Sequence, residues 1–234
     1  MVIYFHHIPR TSGTAIRDSI VTKLRGSDIP FLVLDSMTPI TEDIFEGKKF
    51  ITGHLANYPN SKVTDLQTFT LVRNPVEQFI SYFKMFYSHG FSKQHQQMIF
   101  DRWLSGHHRF EPFYNMQSKS ITGSIDVEMW NLTDREDKKR LGWLYNDYNF
   151  DKDLLSNIAM QKLVFTFDNR DNAIKEIDSL LESSLGFTAL EKNIKMNDTP
   201  GLLFEVTDKM KDRIRELNHV DMFLYNQILA KEGI

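Results

Sequence analysis

Between Val2 and Leu24 the chain passes from an apolar run to a polar loop to an amphipathic segment, and that order of textures admits few folds. Val2 to Phe5 is β-branched or aromatic and predicts a strand. The loop follows as His7-Ile8-Pro9-Arg10-Thr11-Ser12-Gly13-Thr14-Ala15, after which Ile16, Ile20 and Leu24 recur every four residues and give a helix one apolar face. A loop so placed meets a helix amino terminus, where the first N–H groups lack intrahelical partners and the dipole is positive. With the hydroxyls of Thr11, Ser12 and Thr14 added, the segment predicts a cradle for a phosphate-like anion. Gly13 lets the backbone come close to it.

Further short apolar runs at Phe31 to Leu34, Phe50 to Ile51, Phe69 to Val72 and Leu163 to Phe167 read as buried strands with helical patterns between or after them. This alternation predicts an α/β fold of three layers, a mostly parallel central sheet with helices on both faces. Apolar spacing predicts helices over Asn172 to Leu185 and from Asp208 to Ala230, and Thr133 with Glu136 predicts a capping box. At 234 residues, 41% of them hydrophobic, the chain suits one domain. The stretch from about 88 to 134 has weak periodicity and many polar residues, and predicts a substrate-facing insertion.

A second strand end repeats the logic of the first. In Phe69-Thr-Leu-Val-Arg73-Asn-Pro75-Val-Glu77 a buried strand ends in arginine, and Asn74, Pro75 and Glu77 supply the cap, the first-turn proline and the early acid of a new helix. Phe79, Phe83 and Phe86 mark its inner stripe, and Ser81 lies about two turns in. A guanidinium can hold phosphate through two parallel hydrogen bonds, with a nearby hydroxyl adding a third. Two anion sites at strand ends suit a nucleotide phosphorylated at both ends of its ribose.

The first loop is not a Walker A motif, because no lysine follows a second glycine. It resembles the 5′-phosphosulfate loop of sulfotransferases, P-K-[ST]-G-[GT]-T, with Arg10 at the lysine position, and the preceding F-x-H-I-P resembles the carbohydrate 2-O-sulfotransferase branch. Arg73 and Ser81 match that family's 3′-phosphate pattern R-[DN]-P-x-x-x-x-x-S. Asn115-Met-Gln117-Ser-Lys119-Ser-Ile-Thr-Gly123 is similar to its N-x-Q-[ST]-[RK]-x-[LI]-x-G, and Asn218, Asp221 and Tyr225 match its terminal N-x-x-D-x-x-x-Y. Phe165-Thr-Phe-Asp168 is similar to a further strand end, and Lys192 to Gly201, with Asn197 and Thr199, to its late cofactor-covering loop.

The resemblance implies a P-loop-like nucleotide-binding sulfotransferase fold. It also implies transfer of a sulfuryl group from 3′-phosphoadenosine 5′-phosphosulfate to an acceptor hydroxyl, on a saccharide, with the 3′,5′-bisphosphate as product and no metal. Cofactor contacts then fall to Pro9, Arg10, Thr11, Ser12, Gly13, Thr14, Ala15, Arg73, Ser81, Asn197 and Thr199. Asn115, Gln117 and Lys119 become candidate acceptor contacts, although a solvated Lys119 is the default. Histidine suits a general base because its ordinary pKa lies close to working pH. His54, in Ile51-Thr52-Gly53-His54, resembles the catalytic segment of the 2-O branch and is the expected base, with Arg10 the electrophilic cation. His6 and His7 alternate across the first strand, one toward the core and one toward the crevice.

Composition narrows the setting. The net charge of −3 does not suggest nucleic acid or a membrane surface as partner, although residues 84–120 carry five Lys or Arg against two acids, with four histidines besides. Without cysteine there is no disulfide framework, thiolate zinc site or cysteine nucleophile. No apolar stretch approaches the roughly 20 residues of a membrane span, and a strand beginning at residue 2 leaves no signal peptide, so a soluble cytoplasmic enzyme of bacterial or viral type is expected. Oligomeric state is not legible. Two other readings stay open: a nucleoside-triphosphate kinase, which normally needs a loop lysine and an acidic metal ligand that are not evident here, and a non-catalytic nucleotide- or glycan-binding module.

Overall fold

The computed structural model describes residues 1–34, 42–53, 65–106, 114–122, 152–190 and 201–234. Five strands form one sheet: β1 (Val2–His6), β2 (Phe31–Leu34), β3 (Phe50–Gly53), β4 (Leu66–Val72) and β5 (Val164–Thr166). Their spatial order is β2-β3-β1-β4-β5 and every pairing is parallel. β1 is central, and the chain leaves it toward β2 on one side, whereas it leaves β4 toward β5 on the other. The crevice between the carboxyl ends of β1 and β4 is therefore a topological switch point, where open α/β sheets bind ligands. Both loops singled out by sequence emerge there, since His6 pairs with Thr70 and β4 runs only two residues further.

Strand alternation sorts the side chains into two layers. Ile3, Phe5, Phe50, Phe69, Leu71 and Phe165 face α1 (Gly13–Arg25) and a later helix at Arg170–Leu185, whose Ile174, Ile177 and Leu181 complete that core. On the opposite face Val72 and Val164 pack with Ile121, Leu155, Ile158, Leu224 and Ile228 from three other helices. In chain order the helices after α1 are α2 (Pro75–Tyr87), α3 (Lys93–Leu104), α4 (Met116–Thr122), α5 (Lys152–Ala159), α6 (Arg170–Leu185), α7 (Asp208–Leu217) and α8 (His219–Glu232). The three-layer α/β expectation holds, and the sheet is wholly parallel among the described residues.

Several boundaries differ from the sequence reading. The periodic run from Asp208 to Ala230 is two helices, because Asn218 leaves helical geometry (φ −113°, ψ 33°) and spends its side chain on Asn115 N–H and the Ile214 carbonyl. Phe167 opens a 3₁₀ turn instead of closing β5, with the Thr166 hydroxyl accepting from Asn169 N–H. Phe86 is 43% exposed, so the buried face of α2 is Val76, Phe79, Tyr82 and Phe83. Within the stretch read as an insertion, α3 is a capped helix. Ser92 accepts from His95 N–H, and Phe100 and Trp103 are fully buried edge-on against Phe79 and Phe83. Burial of each such side chain contributes about 1.5–3 kcal/mol. Thr133 and Glu136 lie outside the described residues.

Candidate functional site

The loop between β1 and α1 holds two non-glycine residues in left-handed conformation, Arg10 (φ 65°) and Ser12 (φ 72°). Each costs on the order of 1–3 kcal/mol and persists only where the surroundings enforce it. Three contacts do so. Thr11 Oγ1 donates to the Ile8 carbonyl at 2.8 Å, Gln78 Nε2 of α2 donates to the Pro9 carbonyl at 2.8 Å, and Arg10 Nε donates to Ser81 Oγ at 3.0 Å. Alternating handedness of this kind turns successive N–H groups toward one anion.

Ser12 is the amino cap of α1 but makes no side-chain capping bond, and no acid stands in the first turn. The N–H groups of that turn thus meet neither of the usual internal competitors for an anion, a capping side chain or a first-turn carboxylate. Gly13 is there for closeness. A Cβ on it would lie 2.2 Å from His7 Cδ2 and 2.7 Å from His7 Nε2, because the buried imidazole stacks on Phe5 beneath the start of α1. Pro9 and Thr11 are buried, whereas Arg10, Ser12, Thr14 and Ala15 are part-exposed. The Thr11 hydroxyl is committed to the loop itself, so of the three hydroxyls expected at the anion only Ser12 and Thr14 keep that geometry open.

At the end of β4, Asn74 Oδ1 accepts from Val76 N–H at 3.0 Å and caps α2 as expected. Arg73 donates from Nε and Nη2 to Glu77 Oε2 at 3.1 and 3.0 Å and lies 5.6 Å from the centroid of the Phe167 ring. Helix α2 runs back beside the first loop and delivers Ser81 to Arg10. Half-burial lowers the Arg10 pKa from its ordinary value, buried Tyr82 beside it pulls the other way, and the nearby positive charge of Arg73 lowers it further. Burial pushes the Tyr82 phenol up in turn. Two guanidinium groups thus come close enough to sense each other, with a serine hydroxyl on one of them and a glutamate on the other. That is a site with excess positive charge at a switch point.

Behind it stands a buried polar lattice. Gln117 is fully buried, its Oε1 accepting the Arg73 N–H and its Nε2 donating to the Arg73 carbonyl, both at 2.8 Å. Asn115 Oδ1 accepts from Val220 and Asp221 N–H, while Asp221 accepts from Gln117 and Ser118 N–H. Burial raises the Asp221 carboxyl above its ordinary value, and its bonds to residues 117 and 118 and the charge of Lys119 hold it back. Expected as acceptor contacts, Asn115, Gln117 and Lys119 are instead all buried, and Lys119 is 2% exposed where solvation was the default. Tyr225 donates to Asp168 Oδ2 at 2.6 Å, and burial followed by that carboxylate pushes the phenol up.

His6 is internal, within hydrogen-bonding reach of Tyr4 Oη at 3.1 Å and Ser120 Oγ at 2.9 Å. His7 is internal too, on the α1 side, so neither histidine opens on the crevice. His54, Asn197 and Thr199 lie outside the described residues. Gly53, the residue before His54, ends β3 level with His6, and its carbonyl accepts the His7 N–H at 3.2 Å. A Cβ there would stand 2.4 Å from the Leu34 carbonyl oxygen, which explains that glycine by close strand approach.

Sequence reasoning passed over Gln78 and Tyr82, and read Glu77 as the early acid of α2 without its pairing to Arg73. The legible signal for Gln78 was a polar residue within the apolar face of α2. A shallow concavity of about 800 Å³ runs along α3 past Lys93, Met98 and Arg102 and contains none of the site residues. Among the described residues no helix is long and apolar enough to cross a membrane.

Among the described residues, fold and site define an α/β protein with a wholly parallel five-stranded sheet and, at its switch point, two strand-end loops that carry Arg10 and Arg73. No protein-family model matches the chain, and no curated protein matches it at a significant level.

Proposed function

We propose that the protein is a sulfotransferase that moves a sulfuryl group from 3′-phosphoadenosine 5′-phosphosulfate to an acceptor hydroxyl, with a saccharide as acceptor. The observation that carries this reading is the 3.0 Å hydrogen bond from Arg10 to Ser81, because it joins the two loops into one site with Arg73 alongside. One phosphate needs only the first loop; a second cationic strand end beside it asks for a second anionic group, which ATP does not carry at its 3′ position. The central sheet with its loop after β1 is consistent with a P-loop-like nucleotide-binding sulfotransferase fold. The saccharide and a cytoplasmic setting rest on the motif resemblance and on the absence of cysteine.

In this reaction the acceptor oxygen bonds to sulfur, the bond from sulfur to the 5′-phosphate oxygen breaks, and the adenosine 3′,5′-bisphosphate leaves. The acceptor proton passes to a base, for which His54 is proposed. The first turn of α1 and the Ser12 and Thr14 hydroxyls hold the 5′ group. Arg73 and Ser81 hold the 3′-phosphate, and Arg10 bridges the two. Such catalysis is mainly orientation and charge stabilisation.

A labelled-sulfate transfer screen over saccharide, phenol and lipid acceptors tests the reading, with thermal stabilisation by the bisphosphate measured in parallel. His54→Ala is expected to lower transfer about 10²–10⁴-fold while nucleotide stabilisation persists. Near wild-type turnover in that variant sinks the base assignment. Stabilisation by magnesium and ATP in preference to the bisphosphate sinks the sulfotransferase reading.

A further inference from the structure

We propose that Gln117 is a positioning residue of the anion site, aiming Arg73 by clamping its peptide and never touching the ligand itself. The inference rests on the reading of Arg73 as a 3′-phosphate contact. Arg73 stands one residue beyond the last residue of β4, where the sheet no longer fixes the backbone. Gln117 takes over the role of a neighbouring strand. Its amide accepts the Arg73 N–H and donates to the Arg73 carbonyl, each at 2.8 Å, and with no exposed surface it meets no competing water. A side-chain amide carries a donor and an acceptor side by side on one planar head whatever the pH, and asparagine is a methylene too short to span both partners from the same backbone.

The clamp is itself held. Asp221 accepts from Gln117 N–H at 3.0 Å and from Ser118 N–H at 2.7 Å, and Asn218 Oδ1 accepts from Asn115 N–H at 2.8 Å. In return Asn115 Oδ1 accepts from Val220 N–H at 3.0 Å and Asp221 N–H at 3.2 Å, with Asn115 itself in left-handed conformation (φ 53°). The starts of α4 and α8 thus cap each other, and Gln117 extends the resulting rigid block to the strand end. Productive sites hold their groups to within about 0.5 Å or 10–20°. A guanidinium lies far enough from its own peptide that a tilt of that size there displaces it by about 1 Å or more.

The test uses the full chain and two probes, adenosine 3′,5′-bisphosphate and adenosine 5′-monophosphate, with affinities measured by calorimetry for wild type, Gln117→Asn and Gln117→Met. Wild type is expected to prefer the bisphosphate. Each variant should lose about tenfold of that preference, the size of one weakened hydrogen bond to a charged group, with monophosphate affinity within twofold and faster hydrogen exchange at the Arg73 amide. Gln117→Asn keeps an amide and serves if the methionine variant fails to fold. A folded variant that retains full preference for the bisphosphate overturns the proposal, whether or not its stability or Arg73 exchange has changed. Failure of wild type to distinguish the two nucleotides instead refutes the 3′-phosphate reading, and the proposal falls with it.

Discussion

Replacing Gly13 by alanine sets two effects of opposite sign against each other, and the structure decides between them. Alanine is a better helix former by about 1 kcal/mol in a helix interior, with less gained at the first helical position. Against this, the new Cβ would stand 2.2 Å from His7 Cδ2, 2.7 Å from His7 Nε2 and 3.0 Å from Phe5 Cζ, where ordinary contact begins at 3.4 Å. The imidazole would have to retreat by more than an ångström. It has nowhere to go, being 2% exposed and stacked on Phe5, which is stacked in turn on Phe69 with centroids 4.5 Å apart. Overpacking of this kind costs about 1–3 kcal/mol, so a net loss of about 1–2 kcal/mol follows. In a chain of this size that is a fall in Tm of roughly 2–8 °C. Because the displaced backbone is the phosphate cradle, bisphosphate affinity should fall as well.

Thermal unfolding and calorimetric titration of Gly13→Ala check both halves, and the same substitution in a His7→Ala background isolates the cause. There the two His7 contacts are gone and the Phe5 ring can ease its 3.0 Å contact into the space they leave, so alanine at position 13 should cost no more than a few tenths of a kcal/mol. An equal loss in both backgrounds, or an unchanged Tm for Gly13→Ala alone, would show that the His7 contact does not explain the glycine.

Ser81→Ala removes the acceptor of a charged donor, an interaction in the range of about 1.5–3 kcal/mol when made to a charged group. Part exposure of both residues places it at the low end, so bisphosphate binding should weaken about tenfold with Tm changed by less than about 4 °C; undiminished binding would remove the link between the loops. Asp221 predicts a pH dependence. Its folded-state pKa is raised, chiefly by burial, so the stability it contributes is fully present below the ordinary carboxylate value of 3.8 and is lost as pH rises from there through the raised value. The Tm difference between wild type and Asp221→Asn should therefore shrink as pH increases through that window. A difference that grows there would reverse the sign. At neutral pH the asparagine still costs on the order of 1–3 kcal/mol, since its amide cannot accept from both residue 117 and residue 118.

What was legible in the sequence is what short-range pattern determines. The strand–loop–helix around Gly13, the Asn74 cap and the parallel alternation all follow from local chemistry, and each reappears in the structure. Less legible was anything that depends on which distant segments meet. Ser81 could be read as an anion ligand only if α2 turned back toward the first loop, a question of helix packing that no spacing encodes. Asn115 and Gln117 carry the polar chemistry of acceptor contacts, and their motif gives no sign that the start of α8 a hundred residues later absorbs the first side chain and the Arg73 peptide the second. The Asp208–Ala230 periodicity hid a break for the same reason, since Asn218 stops α7 only because Asn115 is there to bond it. Buried polar residues are ambiguous in sequence because the same side chain can serve a ligand or a peptide. The physical distinction is whether the partner is already present. For Gln117 it is, and for the uncapped first turn of α1 neither a side-chain cap nor an acid supplies one, which is why that turn, and not the α4 motif, is where an anion has most to gain.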